Sequence, residues 1–156
     1  MNSGLKAIII IVVLALVGLL FYNNYRITQQ SSGAPSSVKL IVDNPDEVAW
    51  YTNFQEALQV SAQSGKPVMA DFYADWCGWC KKLDEDTYSD SEVIKLSKGF
   101  VCVKVDADVD GASSKKYDIR GLPTILFTDA KGKVIHRIGG YLGPRDFASV
   151  MRSIKK

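Results

Sequence analysis

The run Val68-Met69-Ala70-Asp71-Phe72-Tyr73-Ala74 ends in Asp75-Trp76-Cys77-Gly78-Trp79-Cys80, two cysteines three positions apart where an apolar strand gives way to a helix. That junction constrains the chain more than any other feature. Thiols at i and i+3 on a first helical turn face the same side and can bridge. The first of them, Cys77, falls at the helix N-terminus, where unpaired N–H groups and the macrodipole favour an anion. Such a position is expected to lower the pKa of a thiol, and the thiolate is the nucleophile of disulfide exchange. Cys80, one turn in, is placed to close on a mixed disulfide and release the partner. Half a zinc site has the same C-x-x-C spacing, yet only Cys102 and His136 remain as further ligands, without a second paired spacing. Three cysteines in all cannot staple a fold through paired bridges.

Strand and helix signals alternate around this junction. Val38–Val42 is a short β run. Pro45-Asp46-Glu47 opens a predicted helix whose apolar positions Val48, Trp50/Tyr51, Phe54 and Ala57/Leu58 recur at helical spacing, with Gly65 closing it. Val68–Ala74 reads as a buried strand, and the dithiol segment follows. Ser89-Asp90-Ser91-Glu92 has capping-box spacing ahead of a short helix running to Gly99. Phe100–Val105 is a β run and Ser113–Tyr117 a weak helix. Thr124–Thr128 and Lys133–Ile138 read as two strands about the turn Asp129-Ala130-Lys131-Gly132. Pro144 suits a first helical position, and Phe147, Val150/Met151 and Ile154 form the apolar stripe of a closing helix. The order β-α-β-α-α-β-α-β-β-α predicts an α/β fold with helices on both faces of a mixed sheet.

Two features beside the dithiol sharpen the chemistry. Asp71 interrupts an apolar strand, where a carboxylate is costly and burial raises its pKa toward neutrality. Six residues before Cys77, it can accept the Cys80 proton directly or through a water. The alternative is a solvated edge position. Gly121-Leu122-Pro123-Thr124 places a proline at the threshold of a strand. On residues alone an ordinary trans turn is the default there, and a cis bond is the alternative that leaves backbone groups free for a partner peptide.

The run D-F-Y-A-D-W-C-G-W-C-K-K, together with R-G-L-P-T and the later I-G-G, resembles the thioredoxin superfamily across essentially all of residues 38–156. The further pattern G65-K66-P67-V68, K-K-L-D-E-D-T-Y-S-D-S-E-V and V-K-V-D is most similar to a bacterial extracytoplasmic branch of membrane thiol:disulfide interchange proteins. The resemblance implies a thioredoxin-like fold, with Cys77 as attacking thiol, Cys80 as resolving thiol and Asp71 as buried proton acceptor. It also implies Pro123 as a cis-proline beside the dithiol, Trp76 as the tryptophan preceding the first cysteine, and Gly139 as the glycine that lets a partner chain approach. With Trp79 and Leu122 these residues are the candidate substrate-binding set. Gly78-Trp79 stands where thioredoxin itself has Gly-Pro, so neither potential nor direction carries over. For Trp79, partner docking and packing within its helix both remain open.

The N-terminus is apolar without interruption from Ala7 to Tyr22. As a helix rising ~1.5 Å per residue it covers about 24 Å of a hydrocarbon core roughly 30 Å thick. Lys6 can snorkel, and Tyr22 and Tyr25 suit the far interface. No A-x-A-like site follows closely, which favours an uncleaved anchor over a cleaved signal peptide. The expected organisation is an anchor at 1–22, a flexible tether at 23–37 and a thioredoxin-like domain at 38–156. Charge adds little. Residues 1–37 hold Lys6 and Arg26 and no acid, leaving 17 basic against 17 acidic side chains beyond them. A neutral domain carries no electrostatic footprint for nucleic acid.

Several motifs carry less than they suggest. Asp106-Ala107-Asp108-Val109-Asp110-Gly111 begins like a calcium loop, yet the twelfth position, which should be glutamate, is Tyr117. Cys102 alternates with Val101 and Val103 and reads as a small buried hydrophobe. Lys81-Lys82 and Asp84-Glu85-Asp86 read as solvated helix faces. The expected protein is a membrane-tethered oxidoreductase that reduces protein disulfides on the extracytoplasmic side. It needs no organic cofactor or metal beyond the Cys77–Cys80 pair, and draws electrons from a membrane donor. An oxidase or isomerase, and a non-catalytic adaptor, are the alternatives.

Overall fold

The structure is a computed structural model that describes Val12, residues 14–19 and residues 44–154. The chain divides into two units, Met1–Val38 and Lys39–Lys156. Of the first, Val12 and residues 14–19 are helical and exposed. Among the described residues no helix is long and apolar enough to cross a membrane. The expected anchor (1–22) and tether (23–37) fall mostly outside the described residues, and the expected strand Val38–Val42 falls wholly outside them.

The second unit is built on a five-stranded sheet of order β1-β3-β2-β4-β5. Its strands are β1 (Trp50–Tyr51), β2 (Val68–Tyr73), β3 (Val101–Asp106), β4 (Thr124–Thr128) and β5 (Val134–Gly139). β1, β3 and β2 run parallel, while β4 and β5 add antiparallel. The helices are α1 (Phe54–Ser64), α2 (Gly78–Asp86), α3 (Ser91–Ser97), α4 (Gly111–Lys116) and α5 (Pro144–Ile154). Strand pleating sorts the side chains onto two faces. Val68, Ala70 and Phe72 of β2 join Val101, Val103 and Val105 of β3 and Leu126 in one core with Phe54, Ala57 and Tyr117. Met69, Cys102, Ile125 and Phe127 point the other way, into a core completed by Leu83, Val93, Phe147 and Met151 from α2, α3 and α5. Edge-to-face contacts among Tyr88, Phe147, Phe127 and Phe100 knit this second core.

Three expectations are corrected. The helix expected from Pro45 starts only at Phe54, capped by Asn53, whose side chain accepts from the Glu56 N–H at 3.0 Å. Trp50 and Tyr51 are instead a strand paired with Cys102 and Val103. Two consecutive bulky aromatics fit a half-buried pleated edge as well as a helix face, and the sheet decides between them. Gly65 closes α1 as expected, at φ 72°, the left-handed cap that glycine adopts without a Cβ penalty. Before α3 the cap is Asp90, one residue later than the capping-box spacing suggested. Its carboxylate accepts from the N–H groups of Glu92 and Val93, while the Ser89 hydroxyl donates back to the Glu85 carbonyl.

Candidate active site

β2 is the central strand, and the chain leaves its C-terminal end directly into the dithiol turn. The Cys77 N–H donates to the Ala74 carbonyl at 3.0 Å, and Cys77 then caps α2. Its sulfur accepts from the Cys80 N–H at 3.1 Å. The helix therefore aims an N–H group at this sulfur, which favours negative charge there. Cys77 and Cys80 are joined in a disulfide. Both are recessed, 5% and 2% exposed, in a small apolar cluster with Ala74, against which Tyr73 and Leu122 pack.

Trp76 and Trp79 stand in the open on either side, 71% and 60% exposed. Trp76 is fixed by its indole N–H, which donates to Asp108 Oδ2 at 2.8 Å. Trp79 is not packed into a core; its ring lies tilted over Tyr141 with centroids 5.8 Å apart. The Leu122–Pro123 bond is cis. The Pro123 carbonyl accepts from the Gly140 N–H at 2.8 Å, and Thr124 pairs with Gly139 across β4 and β5. Gly139 is exposed, with nothing within 4 Å of where a Cβ would stand. Outside the dithiol turn and α2, Leu122 packs against the disulfide cluster, and Pro123 and Gly139 are tied to Leu122 through the cis bond and the Thr124–Gly139 pairing.

Asp71 sits inside, on the same face of β2 as Met69. It is fully buried on the central strand, which excludes a solvated edge. Its register partner on β3 is Lys104, and the two side chains meet at 3.1 Å. Lys104 also pairs with Asp84 of α2 at 2.5 Å, and its ammonium lies over the rings of Trp50, Tyr73 and Tyr88 at 5.3, 5.0 and 5.4 Å. Burial pushes the Asp71 carboxyl up to about 6, against the opposing pull of Lys104. Burial works to lower Lys104, but Asp71 and Asp84 outweigh it and leave the ammonium raised. Asp71 Oδ1 and the Tyr88 hydroxyl are buried without a hydrogen-bond partner among the described residues. The Tyr88 phenol is pushed well up, by burial and then by the Asp71 charge. The site therefore holds a carboxyl near its midpoint at mildly acidic pH, flanked by the Lys104 ammonium and the Tyr88 hydroxyl.

Lys104, Asp84, Tyr88 and Tyr141 carry no role in the sequence reading. Lys104 gives the same signal as Asp71, a charge inside an apolar strand, and only register pairs the two. Asp84 and Asp86 are not merely solvated, since Asp84 pairs with Lys104 and Asp86 with Lys82 at 2.7 Å. Cys102 is buried as expected, and burial pushes its thiol up to about 12, far from a reactive range. His136 is exposed on β5. Asp106 and Asp110 serve local turns, accepting from the N–H groups of Asp108 and Ser113.

Comparison with known proteins places this geometry. Residues 54–155 match the model of a family described as thioredoxin-like domain. The thiol:disulfide interchange protein DsbD of Pseudoalteromonas atlantica is 29% identical over 98% of this chain and 26% of its own length. The DsbD of Yersinia enterocolitica is 33% identical over 83% of this chain and 22% of its own. The chain thus spans about a quarter of the length of these curated relatives. Among solved structures, a DsbH oxidoreductase superposes with a TM-score of 0.62 at 26% identity, covering 81% of this chain and 96% of that one. The oxidised C-terminal domain of Neisseria meningitidis DsbD gives a TM-score of 0.59 at 23% identity, over 67% of this chain and 98% of its own, a likeness of fold.

Proposed function

Because this chain belongs to the thioredoxin-like domain family, we propose that it is a thiol:disulfide oxidoreductase that reduces protein disulfides through Cys77 and Cys80. The observation that carries the reading is the Cys77–Cys80 disulfide at the N-terminus of α2, with Asp71 fully buried on the strand that leads into it. In the reduced chain the Cys77 thiolate attacks one sulfur of a client disulfide. The client S–S bond breaks, a mixed disulfide forms and the first client thiolate leaves. Asp71 takes the proton of Cys80, directly or through a water, and the Cys80 thiolate attacks the Cys77 sulfur. The second client thiolate leaves and the Cys77–Cys80 disulfide closes. Two electrons have passed to the client, and a dithiol donor must return them.

The candidate contact set for the client is Trp76, Trp79, Leu122, Pro123 and Gly139, and neither step draws on a metal or organic cofactor. Residues 1–22 are assigned as a membrane anchor, 23–37 as tether and 38–156 as the working domain, held on the extracytoplasmic side. The uninterrupted apolar run Ala7–Tyr22 supports this placement, and the likeness to thiol:disulfide interchange proteins supports the chemistry. A tether there raises the effective concentration of the dithiol near a membrane donor. Replacing Cys77 by Ser is expected to abolish reduction of insulin disulfides, and Cys80→Ser to accumulate mixed disulfides with clients. Undiminished insulin reduction by Cys77→Ser overturns the mechanism.

A further inference from the structure

The exposed face of α2 carries a stripe that the exchange chemistry does not use. Trp79, Lys82 and Asp86 stand at i, i+3 and i+7 and so line one side of the helix. A single side chain from elsewhere in the fold, Tyr141, lies along all three. Its ring meets the Trp79 indole at 5.8 Å and 43°, the Lys82 ammonium sits 5.6 Å from its centroid, and its hydroxyl donates to Asp86 Oδ2 at 2.9 Å. Lys82 closes the set by pairing with Asp86 at 2.7 Å.

Tyr141 is itself held from both ends. Gly140, at φ 88°, turns the chain where a side chain would be strained, and its N–H is bonded to Pro123. On the far side the Thr87 hydroxyl donates to the Leu142 carbonyl at 2.8 Å. The segment 140–143 therefore ties the Pro123 turn to α2, with Tyr141 pinned between. Trp79 has one face against this ring and remains 60% exposed. It borders the recessed sulfur that any partner must reach.

We propose that Tyr141, fixed by Asp86, is a positioning residue that holds Trp79 as a preformed shelf for a polypeptide client carrying an apolar side chain beside its disulfide. The inference rests on the exchange reading above and adds the class of substrate. Cys77 is nearly covered, so a client must bring its disulfide down between large apolar side chains while its own flanking residue covers the free indole face. Binding to a shelf already in its bound rotamer avoids the cost of ordering it, which for one rotamer-rich side chain amounts to a few-fold to about tenfold in affinity. A small disulfide without flanking residues touches the sulfur and gains nothing from the shelf.

The test uses the full-length chain, reduced beforehand, and follows a single turnover against insulin and against bis(2-hydroxyethyl) disulfide. Tyr141→Ala is expected to raise the half-saturating insulin concentration about fivefold or more, with the limiting rate and the small-disulfide rate within about twofold of wild type. Tyr141→Phe and Asp86→Ala delete the same hydrogen bond and keep the ring. Each is expected to produce a smaller rise of similar size and a matching change in Trp79 emission. Equal slowing toward insulin and the small disulfide assigns Tyr141 to the dithiol itself and overturns the proposal. So does an unchanged insulin saturation curve in all three variants. A wild-type chain inert toward both disulfides overturns the exchange reading and the shelf with it. That result differs from an active wild type with unaffected variants.

Discussion

Asp71 shows how one residue reports both burial and purpose. A carboxyl in an unfolded chain titrates near ~3.9, and in the folded chain near about 6. Between those values the folded state holds a proton that the unfolded state has lost. The stability associated with Asp71 is therefore complete below ~4 and falls as pH rises through 6. Above that, the buried charge costs about 3 kcal/mol at ~1.4 kcal/mol per pKa unit. Asp71→Asn is expected to raise unfolding stability at pH 7 by about 2 kcal/mol, because Lys104 retains Asp84 as partner. It should also flatten the decline in stability from pH 4 to 6, and slow the release of mixed disulfides in the exchange assay. Urea titrations at pH 4 and pH 7 check the first two outcomes, and unchanged stability at both pH values contradicts the buried-charge account. The sequence reveals Asp71 because a charge inside an apolar strand is conspicuous. It does not reveal Lys104 as its partner, since Asp71 and Lys104 are 33 positions apart and only strand register brings them together.

Elements were legible in proportion to how local their signals are. β4 occupies the residues expected of it, and α1 and α5 end and begin at their glycine and proline as the capping rules require. Where two periodicities fit the same residues, as at Trp50 and Tyr51, the neighbouring strand decided. The cap of α3 is the finer case, because Ser89 and Asp90 are both good capping residues. Asp90 does the capping, with its Oδ1 2.9 and 3.1 Å from the Glu92 and Val93 nitrogens. Asp90→Ala is therefore expected to cost about 1 kcal/mol of stability, and Ser89→Ala much less. Thermal unfolding of the two variants separates them, and the reverse ranking returns the cap to Ser89.

At the scale of the whole molecule, the fold class and the dithiol were both readable in sequence, since each rests on short apolar runs and a three-residue spacing. The frame around the dithiol was only partly so, because Tyr141 reaches Trp79 and Asp86 of α2 through tertiary structure alone. The proposed anchor makes its own prediction. The intact chain should sediment with membranes and resist alkaline carbonate extraction, whereas a chain lacking residues 1–22 should stay in the supernatant. Recovery of the intact chain in the carbonate supernatant contradicts an integral anchor.

Cys77 and Cys80 are neighbours along the backbone, whereas Leu122 packs against them, and the Gly140–Gly143 segment ties the adjoining Pro123 turn to the end of α2, only after folding. Heat or denaturant would therefore leave the two thiols within reach of each other long after the surrounding walls had dispersed. A loosened molecule of this kind keeps its two thiols together but loses the walls that sort its partners, and would meet whatever sulfur diffuses past. In this architecture the tertiary structure supplies selectivity as well as reactivity, and damage to the walls alone should show as promiscuity.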